Sequence, residues 1–108
     1  MAEMVKKATR ESYGLALAAL GDEFPQIVVL DADLSEATKT SFFKKKYPER
    51  FADCGIAESN MMGVAAGLAT CGKIPFATTF AMFATGRAFE QVRNSICYPH
   101  LNVKVVGT

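Results

Sequence analysis

Glu58 is the residue whose position points most clearly to chemistry. Residues 50–54 before it are predicted to form a short strand, Gly55 a tight turn, and residues 57–71 a helix that opens with this acid. Such a layout is typical of α/β proteins, which bind ligands at the carboxyl ends of their strands. Residues 61–69 carry no charge, so the helix should be buried nearly all round and Glu58 partly desolvated at its rim. Partial desolvation suits a glutamate to proton transfer near neutral pH.

A simpler role for Glu58 is electrostatic. Acidic side chains are favoured in the first turn of a helix because they complement the positive end of the helix dipole. The residues alone favour this simpler role, and they leave both open.

The composition of the chain argues against several function classes. Its 108 residues suffice for one small domain. Half of them are hydrophobic and the net charge is +1, a balance with no basic patch for nucleic acid and no acidic tail typical of disorder. Charge, proline or glycine interrupts the long apolar stretches, so no membrane-spanning helix is expected. Lys6 and Lys7 lie too early for the apolar core of a signal peptide.

The cysteines and the single histidine predict neither disulfides nor a metal site. Cys54, Cys71 and Cys97 form no Cys-x-x-Cys pair, and scattered cysteines with apolar neighbours are typical of reduced, cytoplasmic proteins. His100 stands without a cluster of other ligand residues, so we expect it in a surface loop.

Helices and strands alternate along the chain. Strands are predicted at 27–30, 50–54, 74–79 and 103–106, and helices at 7–21, 39–46, 57–71 and 82–97. This alternation, with apolar strands, predicts an α/β fold with a parallel sheet flanked by helices on both faces. Gly21 is expected to end the first helix, whose buried stripe should include Leu15 and Ala19. The last helix is expected to bury Phe89 together with Ile96.

The last predicted strand is followed almost at once by the final residue, Thr108. A parallel strand normally leads into a crossover connection. We therefore expect residues 1–108 to be one domain, truncated at its C-terminus, from a longer polypeptide.

Four ordered blocks of sequence resemble the pyrimidine-binding domain of transketolases. They are Ala8-Thr9-Arg10-Glu11, Val29-Leu30-Asp31-Ala32-Asp33-Leu34, Gly55-Ile56-Ala57-Glu58 with Asn60-Met61-Met62-Gly63, and Thr79-Phe80-Ala81-Met82-Phe83. More narrowly, the chain resembles the start of the C-terminal subunit of a split transketolase. That family uses thiamine diphosphate to move two-carbon ketol units between sugar phosphates. The block at 55–58 alone would also fit deoxyxylulose-phosphate synthase or the pyruvate dehydrogenase beta subunit.

The resemblance implies a catalytic role for Glu58 and a cofactor-binding role for two aromatic residues. Glu58 matches the glutamate that hydrogen-bonds the aminopyrimidine ring of the cofactor and activates it. Phe80 and Phe83 match aromatic residues that pack around this ring, and a flat ring is well held by flat apolar walls. Without the resemblance, the spacing of the two phenylalanines would indicate ordinary core packing.

Two further residues acquire roles from the resemblance. Asp33 matches an acid on the thiazolium side of the cofactor, while Asp31 is expected to form the turn at the strand end. Arg10 matches an arginine that binds the substrate phosphate, and a guanidinium suits that task. The alternative for Arg10 is an ordinary exposed helix residue.

Three positions depart from the family pattern. Gly86 stands where a third aromatic residue is common, so the pocket wall is expected to be either incomplete or completed by residues from elsewhere. Ala37 stands where many relatives have a phosphate-binding serine, and Ser59 where a glutamine or histidine is commoner.

The resemblance also implies a partner. The chain lacks the Gly-Asp-Gly and distant Asn pattern that holds magnesium and the diphosphate. We therefore expect magnesium to be held by an N-terminal transketolase subunit, which carries the diphosphate-binding domain, and the isolated chain to be inactive. The apolar helix at 60–69 should be covered by protein, which also predicts a homo-oligomer. The alternatives are the pyrimidine domain of deoxyxylulose-phosphate synthase and a non-catalytic α/β interaction module.

Overall fold

Four parallel strands form the centre of the protein, in a computed structural model that describes residues 3–108. They are β1 (Ile27–Asp31), β2 (Phe51–Asp53), β3 (Ile74–Thr79) and β4 (Lys104–Gly107). Their order in the sheet is β2-β1-β3-β4, and each neighbouring pair is parallel. The predicted α/β fold is confirmed, and the strand predicted at 74–79 has the observed bounds.

The register of the sheet aligns the ends of three strands. Asp31, the last residue of β1, lies opposite Asp53 of β2 and Thr78 of β3. Because parallel strands end at the same edge of a sheet, the loops that follow them meet there. The candidate site residues Asp33, Glu58 and the two phenylalanines all follow strand ends on this edge.

The first face of the sheet is covered by the N-terminal helices. They are α1 (Thr9–Glu23), α2 (Ser35–Thr38) and α3 (Ser41–Lys46), followed by a 3₁₀ turn at Pro48–Arg50. Leu17 and Phe43 from these helices pack on Ile27 and Val29 of β1. The backbone of α1 approaches that of Lys39 closely at Gly14, where an added Cβ would lie 2.5 Å from the carbonyl oxygen of Lys39.

The second face is covered by the C-terminal helices. They are α4 (Glu58–Thr70) and the helical segment 83–97, in which π-helical turns at Phe83–Arg87 and Val92–Cys97 flank a short α-helix, α5 (Phe89–Gln91). Met61 and Met62 of α4 pack with Leu30 and Ile96 in this core. Buried apolar clusters on both sides of the sheet confirm the prediction of helices on both faces.

The first helix differs from its prediction in its end and in its buried stripe. It continues to Glu23, so Gly21 does not end it. This glycine instead makes room for packing, because a Cβ there would lie 2.7 Å from the Tyr47 ring. Leu15 is 47% exposed, and the buried residues are Gly14, Leu17 and Gly21. Gly14 and Gly21 belong to this stripe because they let neighbouring residues pack against the helix backbone. The pattern of apolar side chains gives no sign of such positions.

Two other helical predictions need correction. The helix expected at 39–46 begins two residues later, as α3 (Ser41–Lys46). It is preceded by α2, a short helix that the sequence did not predict and that ends just before Lys39, whose φ of 69° lies in the left-handed region. In the last segment Ile96 is buried as expected, but Phe89 is 60% exposed. The π turns there change the angular spacing on which the predicted face depended.

The helix α4 is not buried all round. Met61 and Ala65 are fully buried, whereas Gly63, Val64 and Gly67 are exposed. This chain alone therefore does not bury the helix nearly all round, and the expectation that a protein partner covers its remaining surface stays a prediction. One side of α4 faces the sheet and the other is open.

The cysteines, the histidine and the helix lengths bear on the function classes considered above. Within residues 3–108, the three cysteines are free thiols and no group of three or more metal-ligating side chains is present. His100 is exposed in the loop before β4, as expected. In the same residues, the helices are too short or too polar to cross a membrane.

Candidate cofactor-binding site

Glu58 begins α4 and is almost completely buried. Its side chain is 4% exposed. The Oε1 atom lies 3.3 Å from Nη1 of Arg87, which donates a hydrogen bond to it and forms an ion pair. A buried carboxylate needs such a partner because an unpaired buried charge is strongly destabilising. Arg87 was not among the residues predicted from the sequence.

Arg87 also lies on the aromatic pair. Its guanidinium carbon is 4.0 Å from the centroid of the Phe83 ring. The Phe83 ring in turn stacks on Phe80, with centroids 5.9 Å apart and planes 27° apart. The structure therefore brings two predicted aromatic residues and Glu58 together, with a flat cation between the acid and the nearer ring.

A π-helical turn places Arg87 over Phe83. The amide of Ala88 donates to the carbonyl of Phe83 at 3.2 Å, a bond that spans five residues instead of four. The wider turn rotates each residue less, so a side chain four positions on lies nearly above the first. Thr85 donates to the carbonyl of Ala81 at 2.8 Å, a contact that often bends helices.

Two departures from the family pattern lie beside Arg87. Ser59 Oγ donates to the carbonyl oxygen of Arg87 at 3.0 Å. This bond ties the backbone of segment 83–97 to the start of α4. A Cβ at Gly86 would meet no atom within 4 Å. The pocket wall is therefore open at the position where the family commonly has a third aromatic residue.

The loop after β1 is fixed by the buried carboxylate of Asp31. Its Oδ1 accepts from the amide of Leu34 at 2.7 Å, and its Oδ2 accepts from the hydroxyls of Thr38 at 2.6 Å and Thr40 at 2.8 Å. Burial raises the pKa of Asp31 despite these hydrogen bonds. The expected turn-forming role of Asp31 is confirmed, and the same side chain holds α2 against the sheet.

Asp33 is exposed and has a φ of 62°. Its amide donates to Oδ1 of Asp53 at 3.0 Å, and the same oxygen accepts from the amide of Gly55 at 2.9 Å. Asp53 therefore connects the Asp33 loop with the turn that leads to Glu58. Asp53 was not among the residues predicted from the sequence.

Arg10 lies in the first turn of α1 and is exposed. Its Nη1 donates to the carbonyl of Ala37 at 3.3 Å. It also lines a cavity of about 670 Å³ together with Phe80 and Met82. The structure thus brings Arg10 to the outer side of the aromatic pair, whereas Asp33 lines a separate hollow with residues 34–37.

Comparison with known proteins identifies the family and the fold of this chain. Residues 5–108 match the sequence profile of the family described as transketolase, pyrimidine binding domain. The chain belongs to this family. A protein of Methanocaldococcus jannaschii classed as a transketolase C-terminal section is 57% identical over 104 residues, which are 96% of this chain and 33% of that protein. Mouse transketolase is 44% identical over 109 residues, covering 93% of this chain and 17% of the enzyme.

Solved structures agree with the transketolase assignment. A structure described as a split gene transketolase, inactive beta4 tetramer, has a TM-score of 0.86 and 70% identity, covering 94% of this chain and 34% of that one. Transketolase from Campylobacter jejuni has a TM-score of 0.80 at 25% identity and covers 89% of this chain and 15% of its own. The predicted resemblance to the start of a split transketolase's C-terminal subunit is confirmed. The chain spans about a third of these split relatives and about a sixth of the single-chain enzymes.

Proposed function

We propose that this chain is the pyrimidine-binding part of a thiamine diphosphate-dependent transketolase, which transfers two-carbon ketol units between sugar phosphates. The observation that carries the proposal is the position of Glu58. It is a buried acid at the start of a helix, and it pairs with the same guanidinium group that lies over the Phe83 ring.

The residues present fit an aminopyrimidine ring. A flat, nitrogen-containing group with N–H donors already lies between the Phe83 ring and Glu58 Oε1, in the form of the Arg87 guanidinium. An aminopyrimidine has the same two needs, a flat face for stacking and a hydrogen-bond partner on its edge. The acid and the aromatic pair supply both.

Each site residue has a separate task in this proposal. Glu58 holds a hydrogen bond at the ring nitrogen of the pyrimidine, and Phe83 with Phe80 orients the ring. Asp33 lies on the thiazolium side, and Arg10 binds the phosphate of the sugar. When bound, thiamine diphosphate supplies the nucleophilic carbon and the electron sink that ketol transfer requires. The protein supplies binding, orientation and the hydrogen bond.

The other half of the site belongs to a partner in this proposal. Residues 1–108 lack the family's magnesium and diphosphate motif, so an N-terminal transketolase subunit would hold those groups, in the cytoplasm. The relative described as an inactive beta4 tetramer supports both self-association and inactivity of the C-terminal subunit alone. The open side of α4 and the exposed Ile56 and Met82 offer apolar surface for assembly.

Reconstitution tests the proposal. The chain is mixed with an N-terminal transketolase subunit, thiamine diphosphate and magnesium, and transfer from a ketose phosphate to an aldose phosphate is followed. We expect transfer by the mixture and none by either component alone, and calorimetry should show cofactor binding only by the mixture. Low-micromolar cofactor binding by the isolated chain would contradict the proposed division of the site. A mixture that assembles but neither binds cofactor nor transfers ketol units would instead support a non-catalytic interaction module.

A further inference from the structure

Arg87 makes two specific contacts that the proposed reaction does not require. Its side chain is 56% exposed, and exposed arginines usually extend into water. Here the guanidinium instead lies on the Phe83 ring at 4.0 Å and donates to the buried Glu58 at 3.3 Å. These are the two residues to which the pyrimidine ring is assigned.

The Arg87 guanidinium resembles the pyrimidine ring of the cofactor in the features by which Glu58 and Phe83 would bind that ring. It is planar, it stacks on aromatic faces, and it donates hydrogen bonds in its own plane to a carboxylate. Glu58 Oε1 and the Phe83 face cannot serve two flat groups at once. Binding of one group therefore requires departure of the other.

We propose that Arg87 occupies the pyrimidine position while the cofactor is absent, and that the cofactor must displace it to bind. This rests on the proposed function, since it assigns the ring to Glu58 and Phe83. Arg87 then acts as a competing internal occupant that sets cofactor affinity. It also gives the buried carboxylate of Glu58 a partner before the cofactor binds, when an unpaired buried charge would be destabilising.

The surroundings of Arg87 allow the side chain to leave while its backbone stays. Ser59 Oγ fixes the backbone through the Arg87 carbonyl at 3.0 Å. The neighbouring Gly86 has open space where a side chain would stand. Movement therefore requires only side-chain rotation into solvent.

Arg93 provides a matched control. It is in the same helical segment and is 55% exposed, which is close to the value for Arg87. It pairs with the exposed Glu90 through two hydrogen bonds of 3.0 and 2.6 Å, within its own turn. Replacing it removes one positive charge without touching Glu58.

The experiment measures cofactor affinity in the assembled protein. Wild type, Arg87→Met, Arg87→Lys and Arg93→Met chains are each assembled with an N-terminal transketolase subunit, and thiamine diphosphate is titrated with excess magnesium by calorimetry. We expect Arg87→Met to bind the cofactor about three- to tenfold more tightly than wild type, the scale of an ion pair with one exposed partner plus a cation–π contact. Arg87→Lys should lie in between, because it keeps the charge and loses the flat stack. Arg93→Met should stay within about twofold of wild type.

The outcomes separate this proposal from the cofactor assignment. Unchanged or weaker binding by Arg87→Met, with Arg93→Met as wild type, overturns the competing role of Arg87 and leaves the cofactor assignment standing. No cofactor binding by any assembled form, wild type included, overturns the assignment itself and this proposal with it. If Arg87→Met fails to fold, Arg87→Lys, which retains the positive charge, provides the test. Cofactor affinity of the Arg87→Lys assembly at or below that of wild type would then overturn the competing role of Arg87.

Discussion

The Oδ1 atom of Asp53 lies 3.0 Å from the backbone nitrogen of Asp33 and accepts its hydrogen bond. The bond joins the loop after β1 to the end of β2. Asp33 has a φ of 62°, a conformation that non-glycine residues seldom adopt, and this bond helps to hold it. Because the same oxygen accepts from Gly55, one carboxylate sets the spacing between the Asp33 loop and the turn before Glu58.

Replacement of Asp53 by alanine should therefore loosen both loops. We expect Asp53→Ala to lower the free energy of unfolding by about 1 kcal/mol, the usual scale for such hydrogen bonds. Amide hydrogen exchange at Asp33 and Gly55 should accelerate by about tenfold as protection from these bonds is lost. Asp53→Asn retains an acceptor oxygen and should keep most of the protection. Equal exchange in the alanine variant and the wild type would show that Asp53 does not hold these loops.

Glu58 should be essential for turnover and not for folding. Glu58→Gln keeps the shape of the side chain but cannot act as an acid or base. In the reconstituted enzyme we expect a loss of at least about a hundredfold in turnover, the scale of general acid–base effects. Cofactor affinity should change much less than turnover.

The control for this substitution is Glu49→Gln, an exposed acid before β2. It should leave turnover at the wild-type level. Near wild-type exchange of the cofactor's reactive proton in Glu58→Gln would contradict the catalytic assignment.

The sequence predicted the elements whose signals are local. The strand Ile74–Thr79 was recognised because an apolar run lies between the glycine turn and the following helix. The start of α4 was predicted at residue 57, one residue before the observed start at Glu58, from the acid that precedes a long uncharged stretch. Asp31 was recognised as a turn residue because an aspartate follows an apolar strand there, and the bond that it makes to Leu34 is local, spanning only three residues.

The contacts missed by the sequence analysis join residues that are distant in the chain. Asp53 bonds to an amide 20 residues away, and Arg87 pairs with an acid 29 residues away. Arg87 also depends on a π turn, which has no clear signature in hydrophobic periodicity. The only local signal was an arginine four residues after an aromatic residue, a pattern that surface helices also show.

Phe83 should contribute to cofactor affinity through its flat face. Phe83→Leu keeps an apolar side chain and removes the ring. We expect the dissociation constant of thiamine diphosphate in the assembled protein to rise about three- to tenfold, the scale of an aromatic stack. The comparison is best made in the Arg87→Met background, because wild-type Arg87 uses the same ring. Phe24→Leu, at the opposite edge of the sheet, should leave the constant unchanged, and an equal rise there would argue against stacking.

Tyr13 should make stability fall at alkaline pH. Its hydroxyl lies 2.7 Å from Thr78 Oγ1, under the end of β3. Burial raises the pKa of Tyr13 from 10.0 to about 12, although the hydrogen bond with Thr78 lowers it. Because the folded-state pKa exceeds that of the unfolded chain, the contribution to stability is complete below pH 10 and is lost as the pH rises from 10 toward 12. One pH unit above 10, the free energy of unfolding should have fallen by about 1.4 kcal/mol as a result.

Comparison with Tyr13→Phe isolates this effect. At pH 7 the variant should be less stable by about 1 kcal/mol, because the buried hydroxyl of Thr78 loses its partner. The phenylalanine does not ionise, so the difference from wild type should shrink above pH 10 and vanish near pH 11. Tyr98→Phe removes an exposed hydroxyl and should leave the stability at pH 7 unchanged. A difference between Tyr13→Phe and wild type that stays constant from pH 7 to pH 11 would mean that Tyr13 ionises equally in the folded and unfolded chains, and that burial does not protect its proton.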